Sequence, residues 1–159
     1  MFKDTKKGFS LIELLIVIAI IGILSAVVLS SLGTAREKAR DARRMTEVKD
    51  MTKLLAIESD TGNVALTGCI GADALTSTCT GPGEVSSFAN YTDPSGSATI
   101  CALGVTGPCG YSISQLDGSA AAGTEDYQIC FWLEQGAGGL EAGLNSAIGP
   151  VGRLIDECH

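Results

Sequence analysis

An uninterrupted apolar run near the N-terminus constrains this chain more than any other feature. From Leu14 to Ala35 there are 22 residues without a charge, and as a helix they would span roughly 33 Å, the thickness of a bilayer core. A helix in a soluble core rarely needs that length. One acidic residue, Glu13, stands at the front edge of the run, five residues after "KKG" at residues 6–8. The run predicts membrane insertion and leaves the carboxylate to be explained.

The helical pattern continues beyond the apolar run. Neither Gly nor Pro interrupts residues 34–61, and the first clear stop is "DTGN" at 60–63. We expect one helix of about 50 residues whose second half is amphipathic and packs on a globular domain. The predicted packing stripe recurs at three- and four-residue steps and contains Ala35, Ala39, Ala42, Met45, Val48, Thr52 and Leu55. The basic residues from Arg36 to Arg44 are interpreted as a solvated face with some role near lipid headgroups. A coiled coil is the weaker alternative, because fewer than four alanine-rich heptads are available.

Charge is distributed very unevenly along the chain. The net charge is -7, yet ten of the eleven basic residues lie in residues 1–53. Residues 54–159 hold twelve acidic residues against Arg153 alone, a local net charge of -11. We therefore expect an acidic outer domain that does not bind nucleic acid through its phosphates.

All six cysteines fall in the acidic part of the chain, which predicts a disulfide framework and an oxidising compartment outside the cytoplasm. No Cys-x-x-Cys occurs and the single histidine is His159, so neither a metal site nor a cofactor is predicted. Fifteen pairings of six cysteines are possible. Short local loops favour the pairs Cys69–Cys79 and Cys101–Cys109, which leaves Cys130–Cys158 to hold the C-terminus.

Residues 62–159 alternate glycine-rich turns with short apolar segments, which is typical of a small β-rich domain. Strands are predicted over 97–103, 110–116 and 127–134, the last two as an antiparallel hairpin. In "YQICFWLE" (127–134) alternation predicts one face that packs on the helix and an opposite face that carries Cys130 and Trp132. The glycine-rich stretch 136–143 lacks the ending of a phosphate loop and is predicted to be a loop. The predicted fold class is α+β: a long N-terminal helix packed on a small antiparallel sheet in a disulfide-tied head.

The block "KKGFSLIELLIVIAIIGIL" resembles the N-terminus of type IV pilins and of the related pseudopilins of type II secretion. The resemblance lies in a short basic leader ending at Gly8, a phenylalanine directly after it, and Glu13 five residues past the glycine. It implies that a prepilin peptidase cuts between Gly8 and Phe9 and that the new amine of Phe9 is N-methylated. The chain would then divide into a leader (1–8), a transmembrane and filament-core helix (9–33), an amphipathic continuation (34–61) and a pilin-like head (62–159).

The same resemblance implies a structural role without catalysis. The precursor would sit in the cytoplasmic membrane with its head outside, and would join a homo-oligomeric helical filament at the cell surface or in the periplasm. Its partners would be the peptidase, the lipid bilayer and an inner-membrane pilus or secretion assembly machinery. Glu13 would pair with the Phe9 amine of a neighbouring chain and set the stagger between subunits. Unlike many pilins, this chain has no proline before residue 82 and carries Ser30 and Ser31 in the region where one is common.

Other functions stay open at this point. The chain could be a type II secretion pseudopilin or a minor pilin, since these share the N-terminal plan. It could instead be a signal-anchored extracytoplasmic domain that does not polymerise, but Glu13 would then be an unexplained acid at the membrane. A secreted protein cut after Ala35 would need an apolar region longer than signal peptides have. An enzyme is disfavoured because His159 alone offers no nucleophile–base pair.

Overall fold

The computed structural model describes residues 8–159, so the predicted leader lies, apart from Gly8, outside the described residues. The chain divides into two compact units, one ending at Arg36 and the other formed by Glu37–His159. Helix α1 (Leu11–Glu58) is 48 residues long and contributes residues to both units. The single long helix predicted from the sequence is therefore confirmed.

In the first unit, α1 presents apolar side chains to its surroundings. Residues 11–29 are all exposed, and Leu11 and Leu29 keep 87% and 70% of their surface. This part of α1 is long and apolar enough to cross a membrane. Exposure of apolar surface to water is unfavourable by roughly 25 cal/mol per Å². This stretch therefore needs lipid or other helices around it.

The second unit contains a five-stranded antiparallel sheet. Its strands are β1 (Ala74–Leu75), β2 (Ser112–Ser114), β3 (Gln128–Leu133), β4 (Gly143–Ile148) and β5 (Arg153–Ile155). Each strand pairs with the next along the chain, in the order β1-β2-β3-β4-β5. Short 3-10 helices at Ser59–Thr61, Thr76–Thr78 and Gly83–Asn90 fill the connections. The α+β fold class is confirmed.

One face of the sheet packs on the second half of α1. The helix contributes the buried side chains of Met45, Val48, Met51 and Leu55 to this core. The sheet contributes Ile113, Ile129, Phe131, Leu133 and Ala147. Alternation along β3 turns Cys130 and Trp132 to the opposite face, as the sequence predicts.

The second face of the sheet is covered by loops that disulfides hold in place. Cys101–Cys109 closes the loop before β2, and Cys130–Cys158 ties the C-terminus to β3. Cys69–Cys79 encloses β1, and both of its cysteines belong to the core on the helix side of the sheet. These are the pairs that the short sequence separations favour.

The strand prediction was wrong for 97–103. Within that segment only Ile100 makes a β-bridge, an isolated parallel one with Gly110. The Cys101–Cys109 disulfide folds the segment back on itself, so it covers the second face of the sheet and does not extend its edge. The hairpin of β2 and β3 is confirmed, whereas β1, β4 and β5 were not predicted. They are short or glycine-bounded, and their pairing depends on distant partners.

The predicted packing stripe of α1 was wrong in its first half. Ala35, Ala39 and Ala42 are exposed, whereas Asp41 and Arg44 are completely buried. The interpretation of the segment Arg36–Arg44 as mostly a solvated helix face was therefore wrong at Arg44. The reason is a set of carboxylates from the head that accept hydrogen bonds from its guanidinium.

Candidate assembly site

The start of α1 is built around a hydrogen-bonded cap. Ser10 immediately precedes the first helical residue, and its backbone N–H donates to Glu13 Oε2 at 2.8 Å. The backbone N–H of Ile12 donates to Ser10 Oγ at 3.3 Å. The Ser-x-x-Glu spacing is the capping-box pattern, which satisfies backbone donors that a helix leaves open at its N-terminus. This capping pattern is visible in the sequence at residues 10–13, but the prediction for Glu13 was based only on its charge.

The cap uses only part of the Glu13 carboxylate. Within residues 8–159, its Oε1 accepts no hydrogen bond and the group forms no ion pair. The two residues of the predicted cleavage bond, Gly8 and Phe9, directly precede the cap, and Phe9 is 87% exposed. The structure thus brings Gly8, Phe9 and Glu13 together at one helix end, with one carboxylate oxygen available to a second molecule.

Nothing in the folded first unit requires glycine at the positions where glycine occurs. A Cβ added at Gly8, Gly22 or Gly33 would meet nothing within 4 Å. Gly22 and Gly33 lie inside α1, where glycine is less stable than alanine by roughly 0.5–1 kcal/mol. Such positions are favourable where another helix or an enzyme must approach the backbone closely.

A second group of polar side chains, a buried charge cluster, lies between α1 and the head within the second unit. Arg44, with no exposed side-chain surface, donates through Nε to Asp93 Oδ2 at 2.6 Å and through Nη2 to Asp93 Oδ1 at 3.1 Å. Its Nη1 donates to Asp41 Oδ1 at 2.8 Å and to Glu134 Oε1 at 2.7 Å. Asp41 also accepts the backbone N–H of Gln135 at 2.7 Å.

Two further arginines extend the buried charge cluster. Arg40 Nε donates to Glu134 Oε1 at 2.7 Å. Arg43 Nε donates to Glu47 Oε1 at 2.7 Å, and the other oxygen of Glu47 accepts the hydroxyl of Tyr111 at 2.8 Å. Most polar groups of these side chains bond to one another, and only the Arg43 guanidinium stays largely exposed. The cluster fastens α1 to the head.

The electrostatic environment of the cluster agrees with that structural role. Hydrogen bonds from Arg40 and then Arg44 lower the pKa of Glu134 to about 2. Burial opposes the charge of Arg44, but hydrogen bonds to Asp93 and Glu134 raise its pKa above the ordinary value. Burial, with the hydrogen bond to Glu47, raises the pKa of the Tyr111 hydroxyl. Arg44 and Glu134 therefore stay ionised and the Tyr111 phenol stays neutral near pH 7.

Residues 8–159 contain no group of three or more His, Cys, Asp or Glu side chains placed to hold a metal ion. The six cysteines are all in disulfides. The functional candidates in the described part of the chain are thus the helix start at residues 8–13 and the surfaces of the two units.

One family and one curated relative match part of this chain. The family described as the prokaryotic N-terminal methylation motif matches residues 3–29. Over 47 residues the chain is 53% identical to the type IV wide pilus major component PilA4 of Thermus thermophilus. That match covers 30% of this chain and 36% of the relative, so the chain spans about a third of the length of the relative. No solved structure matches the chain.

Proposed function

We propose that this chain is a type IV pilin and a structural subunit of a type IV pilus-like filament, because its N-terminal segment matches the methylation-motif family and part of a pilus component. It is made as a membrane-inserted precursor, cleaved by a prepilin peptidase between Gly8 and Phe9, and N-methylated at Phe9. The head stays outside the cytoplasmic membrane. The observation that carries the proposal is the methylation motif joined to an apolar helix whose side chains the chain itself leaves exposed.

The exposed apolar part of α1 supports assembly through helix packing. In the precursor, lipid surrounds this surface; in the filament, the same surface of neighbouring chains replaces lipid. Gly22 and Gly33 allow close approach between backbones. A head-to-tail contact of this kind does not close on itself and so produces an open helical filament.

Glu13 has two roles in this proposal. Its Oε2 caps its own helix through the N–H of Ser10, and its Oε1 accepts a hydrogen bond from the cleaved, positively charged amine of Phe9 on a neighbouring chain. An unpaired charge in an apolar medium is strongly unfavourable, whereas a hydrogen-bonded opposite pair is far less so. The pairing therefore selects one axial stagger between subunits.

Substitutions at Glu13 separate the cap from the charge. Glu13→Gln keeps an oxygen that can accept the Ser10 N–H but removes the negative charge, and Glu13→Ala removes both. We expect both variants to be cleaved and neither to form ordered filaments, by electron microscopy and by mass spectrometry of shed subunits. Asp60→Asn, which neutralises an exposed acid in the second unit, should assemble normally. Normal filaments from Glu13→Gln would show that only the cap matters and would refute the ion pair.

A processing variant tests the cleavage site independently. Gly8→Asp should block removal of the leader. Nothing in the described fold requires glycine at this position, so we assign the requirement to recognition by the peptidase. A mature N-terminus still beginning at Phe9 in this variant would contradict the assignment.

The relative named above is a major pilus component, which favours a pilus subunit over a pseudopilin. We therefore expect an abundant species of residues 9–159 in shed filaments.

A further inference from the structure

We propose that the exposed side of α1 in the second unit binds the acidic head surface of a neighbouring copy of this chain. The inference rests on the proposed filament and names a second contact within it, separate from the one at Glu13. The surface in question, called here the outer face of α1, consists of Lys38, Ala39, Ala42, Thr46, Lys49, Lys53 and Ala56.

The outer face is free because the head covers the opposite side of the helix. A helix turns by about 100° per residue, which places Lys49 and Lys53 roughly 100–160° around the helix from the buried Val48 and Leu55. Every residue of the outer face is exposed. The second unit therefore offers a helix face that its own head does not cover.

The outer face also carries lysines that form few ion pairs within residues 8–159. Arg40 and Arg44 form ion pairs with carboxylates of the buried charge cluster. Lys38 and Lys49, by contrast, form no ion pair within residues 8–159. Lys53 pairs only with Asp50, and its side chain is 71% exposed. A positive stripe thus remains beside alanines, which let another surface approach the helix closely.

The head provides the complementary charge. Residues 54–159 have a net charge of -11, and several exposed carboxylates there take part in no ion pair within the described residues: Asp60, Glu84, Asp117, Glu125, Glu141 and Asp156. Heads with this charge repel one another when packed side by side. Contact with the outer face of another copy replaces that repulsion by attraction, which identifies a second copy as the occupant.

An anionic lipid surface carries the same negative charge as the acidic head, but it is less suitably placed to contact the whole outer face. Lys49 lies fourteen residues after Ala35, the last residue of the uncharged run, and along a helix that distance is roughly 21 Å. Salt screens charges over about 8 Å at physiological ionic strength. The headgroups would therefore act weakly on the far end of the outer face, whereas a protein neighbour reaches all of it.

Photo-crosslinking in assembled filaments tests the contact. A benzophenone amino acid in place of Ala42, in the middle of the outer face, should crosslink to a peptide from residues 54–159 of a second copy. Crosslinks only to α1 of another copy, or only to lipid, would overturn the proposal.

Charge reversal provides the matched comparison. Lys49→Glu should reduce filament yield by about tenfold, because a like-charge contact would repeat at every subunit. Arg153→Glu changes the charge equally at the exposed cation of the head and should leave the yield unchanged. Trp132 fluorescence checks that both variants fold. Equal yields from the two variants, while the wild-type chain polymerises, would refute the outer-face contact alone. A wild-type chain that forms no filaments at all would refute the proposed function and with it this inference.

Discussion

Replacing Arg44 by methionine removes the cation at the centre of the buried charge cluster. In the folded chain, that guanidinium makes four hydrogen bonds to three carboxylates, those of Asp41, Asp93 and Glu134. Asp41 is fully buried and Asp93 is 7% exposed, so water cannot replace the lost donors without opening the core. The methionine fills a similar volume, and the loss is therefore mainly electrostatic.

The expected magnitude follows from burial. Removing one partner of a buried ion pair typically reduces the free energy of unfolding by about 3–5 kcal/mol, a large part of the ~5–15 kcal/mol that stabilises a domain. Arg43→Met is the matched control. Arg43 is the next residue and also pairs with a carboxylate, Glu47, but its side chain is 55% exposed. Because one partner of this pair is exposed and Glu47 keeps its hydrogen bond from Tyr111, the loss should be at most about 1 kcal/mol.

Urea unfolding of the detergent-solubilised full chain measures the difference. Trp132 is the single tryptophan and lies in β3, so its fluorescence reports on the second unit. With a slope of about 1–3 kcal/mol per M urea, Arg44→Met should lower the midpoint by at least ~1 M, and Arg43→Met should shift it very little. The difference between the urea midpoints of the two variants should narrow at acidic pH, because lower pH relieves repulsion among the carboxylates that have lost their arginine. Equal midpoints for the two variants would refute the claim that the buried hydrogen bonds of Arg44 stabilise the fold more than the exposed pair of Arg43 does.

Two further predictions use the same fluorescence assay. Glu134 has its pKa lowered from an ordinary 4.5 to about 2; its contribution is present above pH 4.5, is lost as pH falls toward 2, and amounts to at most about 3 kcal/mol. Glu134→Gln should thus approach the wild-type stability as pH falls through that window, and a constant difference would contradict the assignment. Replacing Cys130 and Cys158 by serine opens a loop of 28 residues and should reduce stability by about 3–4 kcal/mol. Replacing Cys101 and Cys109 opens only 8 residues and should reduce it by about 2–3 kcal/mol; the reverse order would argue against a loop-entropy origin.

Features that depend on neighbours in the sequence could be predicted. The absence of charge from Leu14 to Ala35 and the absence of Gly and Pro from 34–61 suffice for one long helix, because helical hydrogen bonds join residues four apart. Alternation over 127–134 was enough to orient β3. The short cysteine separations agree with the disulfides that form. The capping pair of Ser10 and Glu13 belongs to this class too, although it was recognised only in the structure.

The sequence by itself thus determined the apolar helix, the N-terminal methylation motif and the α+β class, all of which follow from local patterns. Only the tertiary structure decided that Arg44 lies inside the protein and Ala42 outside. The partners that make burial of a guanidinium tolerable, Asp93 and Glu134, are 49 and 90 residues away. Burial of a charge depends on the positions of its counter-charges in space. Helix periodicity contains no information about them.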